Sequence, residues 1–80
     1  MKSVNIEYFA LLREEAKRDL ETIETSKITL GELYHELKER HSFSLPLEMV
    51  QVALNDEFSQ FEREFKDGDK VVFIPPVAGG

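Results

Sequence analysis

The sequence predicts an α+β domain in which one principal helix packs on one face of a mixed sheet. Three observations predict it. Several short stretches alternate apolar and polar residues with the period of two that belongs to strands with one buried and one wet face. One stretch, ITLGELYHELKERH (28–41), has a sustained helical period. The chain has 80 residues, enough to bury about 60–65% of its unfolded surface and so to hold one modest core.

Each element follows from local chemistry. In SVNIEYF (3–9), Val4, Ile6 and Tyr8 fall on one side and Ser3, Asn5 and Glu7 on the other, which is a half-buried strand. LLREEAK (11–17) places Leu12 and Ala16 four apart with no β-branched residue, so a short helix follows. DLETIETS (19–26) is a second strand with Leu20 and Ile23 out of step, for which a bulge or a shifted boundary is expected. In the long helix, Thr29 and Glu32 have capping-box spacing, and Ile28 and Leu33 stand at the hydrophobic-staple positions. Leu30, Leu33, Tyr34 and Leu37 line one face, and Glu32, Glu36, Lys38 and Glu39 face water. Arg40 and His41 fall in the last turn, where positive charge meets the negative end of the helix dipole.

SFSLPLE (42–48) reads as a loop broken by Pro46. VQVALN (50–55) alternates with Val50, Val52 and Leu54 inward, and Asn55-Asp56 supplies a turn. EFSQFEREF (57–65) holds a short strand and a turn, and Asp67-Gly68-Asp69 launches the last strand, KVVFI (70–74). The order is β-β-α-β-(β)-β with one main helix. That pattern points to a ubiquitin-like β-grasp, since a ferredoxin-like fold needs a second long helix. The expected organisation is a single domain over residues 1–80 with a flexible tail from 76 to 80.

Composition narrows the function. Hydrophobic residues are 41% and charged residues 32% of the chain, the balance of a folded domain. No apolar run is long enough to span a bilayer and the N-terminal stretch lacks the pattern of a secretory signal, so a cytoplasmic location is expected. The absence of cysteine excludes disulfides, thiolate metal sites, cysteine nucleophiles and persulfide carriage on this chain. A formal charge of −6 without a basic stripe argues against nucleic acid and suits a basic protein partner.

The candidate reactive groups are weak. His35 and Glu39 share a helix face, but a metalloprotease site needs a second His there and a third ligand downstream. The pairs Glu14/Glu15 and Glu62/Glu64 have no polar or aromatic company to tune them for acid–base work. An exposed surface is the expectation for both sets, and no cofactor is expected on the chain.

Two features remain. If Val71 and Phe73 point inward, Val72 and Ile74 point to the outer face, as does Phe9 by the parity of the first strand; Phe58 has polar neighbours and joins them as a candidate contact surface. The second feature is the ending FIPPVAGG (73–80). Pro75 and Pro76 lack N–H donors and end the ladder, so the chain leaves as a stiff extended segment. From Pro76 through Val77, Ala78 and Gly79 to Gly80 it reaches about 16–18 Å at most. Two residues without side chains let a terminal carboxylate enter a narrow tunnel in another protein.

These residues resemble the small, sulfur-carrier subunit of molybdopterin synthase, a ubiquitin-like family. The likeness runs from the first strand leading into FALLRE, through the T-x-x-E-L helix start, the LN turn and the DGD turn, to the PPV-x-GG end. Ubiquitin and the thiamine-pathway carrier share Gly-Gly but not normally the Pro-Pro-Val before it. The resemblance implies that an adenylating enzyme uses ATP to activate Gly80, that sulfur from a persulfide donor leaves a thiocarboxylate there, and that the tail enters the large synthase subunit. There the sulfur passes to a pterin precursor. It also implies that Gly79 gives access and that Phe9, Phe58 and Ile74 form the contact surface, with Ile74 standing where the family also has an aromatic residue. The alternatives are a ubiquitin-like modifier joined to lysines through Gly80, and an interaction module whose tail is incidental.

Overall fold

A computed structural model describes residues 1–76 of the chain. The elements are β1 (Lys2–Tyr8), α1 (Ala10–Ala16), β2 (Leu20–Thr25), α2 (Leu30–His41), a 3-10 turn (Leu47–Met49), β3 (Gln51–Leu54), β4 (Glu57–Ser59) and β5 (Lys70–Ile74). The five strands form one sheet in the order β2-β1-β5-β3-β4. β5 runs parallel to β1 and antiparallel to β3, and β2 and β4 are the antiparallel edges. This is the β-grasp topology that the strand pattern predicts.

One apolar cluster occupies the inner face. It joins Val4, Ile6 and Tyr8 of β1 and Val71 and Phe73 of β5 to Leu30, Leu33, Tyr34 and Leu37 of α2, with Leu12 and Ala16 of α1 closing one end. The four α2 residues are those of the predicted face. Phe43 stacks on Tyr34 with ring centroids 5.9 Å apart, and Phe73 meets the same tyrosine at 5.3 Å. Burial pushes the Tyr34 phenol up to about 12, so its O–H stays a donor, to the Leu45 carbonyl at 2.7 Å.

α2 starts as its sequence dictates. The Glu32 N–H donates to Thr29 Oγ1 at 3.2 Å, and Glu32 Oε1 accepts from the N–H groups of Thr29 and Ile28, each at 3.1 Å. Those backbone donors hold the Glu32 carboxyl below its usual range. Ile28, at the staple position, remains about half exposed while Leu33 is buried. Glu36, expected to face water, instead accepts a 2.6 Å hydrogen bond from Thr25 Oγ1 of the edge strand.

Turns close the sheet. Asn55 and Asp56 take φ of 51° and 73°, the left-handed pair that a two-residue hairpin requires. Gly68 has φ 85°, a conformation that a residue without Cβ adopts freely. The loop expected at 42–48 contains the start of the 3-10 turn, and Val50 lies before β3 yet is buried as predicted. β2 has neither bulge nor slip. Its register with β1 is continuous from Lys2↔Thr25 to Glu7↔Leu20, so Leu20 simply belongs to the outer face and Glu21 takes the inward place.

Replacing Thr29 with alanine removes the cap. The expected loss is about 1 kcal/mol, read as a lower urea midpoint with an unchanged slope.

Candidate functional site

The parallel pairing of β1 with β5 builds the site. Tyr8 stands opposite Phe73, so the next residues of the two strands, Phe9 and Ile74, reach the same end of the sheet on its outer side. Phe9 leaves the strand one residue earlier than its alternation predicts. It becomes the N-cap of α1 without a side-chain capping bond, and Ala10 turns the chain through φ 50°. An alanine in the left-handed region costs about 1–2 kcal/mol, and it swings α1 back across the sheet end. The outcome is an open apolar groove of about 760 Å³ lined by Phe9, Leu11, Glu14, Leu45, Ile74 and the two prolines. Pro75 is buried in it and Pro76 is exposed. Phe9 is 41% and Leu11 39% exposed, a large apolar area for a surface, and Leu11 is a lining residue that the helical reading of LLREEAK leaves unassigned.

Phe58 lies elsewhere on that face. It is 75% exposed on β4, two strands from β5, and lines a separate hollow of about 380 Å³ with Leu47, Gln51, Gln60 and Phe61. The expected contact surface therefore consists of a groove holding Phe9 and Ile74, and an outlying Phe58. Val72 faces outward as its parity requires, but neighbouring side chains leave it only 8% exposed. Val77, Ala78, Gly79 and Gly80 lie outside the described residues.

The end of β1 is anchored from below by a polar cluster absent from the sequence reading. The Tyr8 hydroxyl donates to Glu21 Oε1 at 2.7 Å, and His41 Nε2 lies 2.9 Å from the same oxygen. Arg18 reaches the other carboxylate oxygen at 3.3 Å. Burial pushes Glu21 upward, but the hydrogen bonds from Tyr8 and His41, with the charges of His41 and Arg18, outweigh it and hold the carboxyl below its usual range. Burial, reinforced by the Glu21 contact, drives the Tyr8 phenol far above its ordinary value. The rings of His41 and Phe43 flank Tyr8 edge-on at 5.7 and 5.6 Å. Only the placement of His41 in the last turn of α2 was readable in advance; its carboxylate partner sits 20 residues earlier on another element.

Two of the weak candidates have structural roles. Glu15 accepts from the Ser44 N–H at 3.1 Å and hydroxyl at 2.7 Å, tying α1 to the loop after α2. Glu64 lies at an isolated bridge with Thr29. Among the described residues no three His, Cys, Asp or Glu side chains gather as a metal site, and no helix is long and apolar enough to cross a membrane.

The sequence signature of the ThiS family matches residues 6–80. The chain is a member of the ThiS family. The molybdopterin synthase sulfur carrier subunit of Mycobacterium tuberculosis is 34% identical over the whole of both chains. Among solved structures, SAMP1 of Haloferax volcanii superposes with a TM-score of 0.80, covering 98% of this chain and 99% of its own at 24% identity, a likeness of fold. The complex of subunits 1 and 2 of the molybdopterin-converting factor of Helicobacter pylori contains a chain with a TM-score of 0.67 and 29% identity, covering 98% of this chain and 99% of that one.

Two outcomes follow for this family member. Because the folded-state pKa of Glu21 is depressed, its stabilisation is complete above the ordinary glutamate range and is lost as pH falls through the lower folded value. Glu21→Gln should cost about 1–3 kcal/mol at neutral pH, and thermal melts should show the gap to wild type closing as the pH falls below the ordinary glutamate range. Phe58→Ala removes a ring already in water, so its unfolding free energy should stay within about 0.5 kcal/mol of wild type in urea titration.

Proposed function

We propose that this chain is the sulfur-carrier subunit of a molybdopterin synthase, supplying a sulfur-bearing terminus and a docking surface while its partners supply the reactive groups. The observation that carries the reading is the apolar groove at the common end of β1 and β5, from which Pro75 and Pro76 lead into Val77-Ala78-Gly79-Gly80. The full-length identity to the mycobacterial carrier supports it. The groove offers Phe9 and Ile74 to a partner beside the departing chain, so docking and tail insertion occur together.

The chemistry dictates the sequence of events. An α-carboxylate, with a pKa of about 3.3–3.7, is ionised at neutral pH and resists nucleophilic attack. An adenylating partner therefore joins the Gly80 carboxylate to AMP from ATP and releases pyrophosphate. The terminal sulfur of a persulfide on a donor protein adds to the acyl carbon and expels AMP, giving an acyl disulfide. A second thiol of the partners then cleaves the S–S bond, forming a disulfide with the donor sulfur and leaving a thiocarboxylate on Gly80. With no cysteine in the sequence, the carboxyl is the group on this chain that can hold transferable sulfur. The tail then enters the large synthase subunit, which holds the pterin precursor and takes the sulfur. That subunit pairing has its counterpart in the Helicobacter pylori complex of subunits 1 and 2. Gly79, lacking a side chain, narrows the tail next to the reacting carbon.

Intact-mass measurement after incubation with ATP, the cognate adenylating enzyme and a persulfide donor should show one oxygen replaced by sulfur, absent when Gly80 is deleted. Unchanged mass with an enzyme active on its own carrier would refute the reading. Conjugates to lysines of other proteins would identify a modifier instead. Phe9→Asp should weaken large-subunit binding about 30-fold or more by placing a charge in a desolvated contact, with the melting temperature preserved; unchanged affinity in titration calorimetry would remove the groove from the interface.

A further inference from the structure

The outer face of the sheet carries a single row of cross-strand neighbours that spans all five strands. Leu20 of β2 pairs with Glu7 of β1, Glu7 with Val72 of β5, Val72 with Ala53 of β3, and Ala53 with Phe58 of β4. The row is about 19 Å long at the usual strand spacing. Four of its members are apolar, and Leu20 and Phe58 stand up at its two ends with exposures of 68% and 75%. Glu7 interrupts it. This carboxylate is half-buried between Leu20 and Val72, and among the described residues it makes no hydrogen bond or ion pair through its side chain. Lys70 of β5, which pairs with Asn5 and feels the Glu7 charge, makes its ion pair with Asp56 instead, 3.0 Å away. Beside Glu7 lies a hollow of about 180 Å³, the size of one side chain, bordered by Leu20, Thr22, Asn5 and Lys70.

We propose that Glu7 receives an arginine or lysine of the large synthase subunit, whose aliphatic stem lies over Leu20 in this hollow. The identity of the partner rests on the function proposed above. Glu7 precedes Phe9 by two residues on the same face of the chain, about 7 Å along it. An interface of standard size covers about 800 Å² on each partner, so a protein seated on Phe9 and Ile74 covers Glu7 as well. A carboxylate covered by an apolar surface without a counter-charge opposes binding. A cation on the partner removes that penalty and fixes the docking register, since a surface lacking it is repelled. The chain's net charge of −6 draws the same kind of partner from a distance.

The test measures affinity of the large subunit from the same genome for wild type, Glu7→Gln, Glu7→Lys and Glu39→Lys, by calorimetry at low and high salt. Glu39 lies on α2, which packs on the inner side of the sheet, and its reversal controls for net charge. The expected losses are about tenfold for Glu7→Gln, about 100-fold for Glu7→Lys and less than about threefold for Glu39→Lys. The salt dependence should flatten in Glu7→Gln, and reversing one basic residue of the partner should restore Glu7→Lys. The isosteric Gln variant keeps the fold, so its affinity reads the charge alone. Binding of both Glu7 variants within threefold of wild type, while Phe9→Asp fails to bind, overturns this inference and leaves the carrier reading intact. A wild-type chain that takes up sulfur yet has no affinity for the large subunit overturns it too.

Discussion

The parallel pairing of the last strand with the first is the constraint on which the rest depends. Its register sets Tyr8 against Phe73, and from that one alignment come the meeting of Phe9 with Ile74, the position of the two prolines and the direction in which the chain leaves the sheet. The inner halves of the same strands, Val4, Ile6, Val71 and Phe73, are at most 1% exposed. A one-residue slip would turn all of them outward. The core therefore holds the groove in register, and the polar cluster of Tyr8, Glu21 and His41 locks the end of β1 just below it.

Much of this was legible in the sequence because it rests on local chemistry. The α2 face, its capping box, the Asp67-Gly68-Asp69 turn and the inward residues of β1, β3 and β5 are short-range patterns whose physics does not depend on the neighbours. What escaped notice required knowing which strands lie side by side. Leu20 is out of step along the sequence because its partner, Glu7, is 13 positions earlier in the chain, and Glu21 carries no local sign of its role because Tyr8 sits on β1 and His41 at the end of α2. Parity groups Ile74 with the contact surface and polar neighbours group Phe58 with it, and neither signal tells of the strand that lies between them.

The division of labour follows from size. A sheet with one helix across its inner face has no room for an enclosed cleft, and its outer face is left shallow. Under the proposed function that is sufficient. A carrier has to present one carboxylate and be recognised by successive enzymes, and a broad face with apolar ends and a buried anchor serves recognition without excluding any of them.

β5 lies in the middle of the sheet, with β1 on one side and β3 on the other. Its pairing with β1 joins Asn5 to Lys70, across most of the chain, so during synthesis the sheet cannot close until the final strand has emerged. A prematurely terminated chain lacks that centre and leaves one edge of β1 and one edge of β3 open for the cell's proteases to find. A chain that has folded has been made at least to residue 74. Folding thus acts as a proofreading step, and partners that recognise the closed sheet select against copies cut short before its last strand.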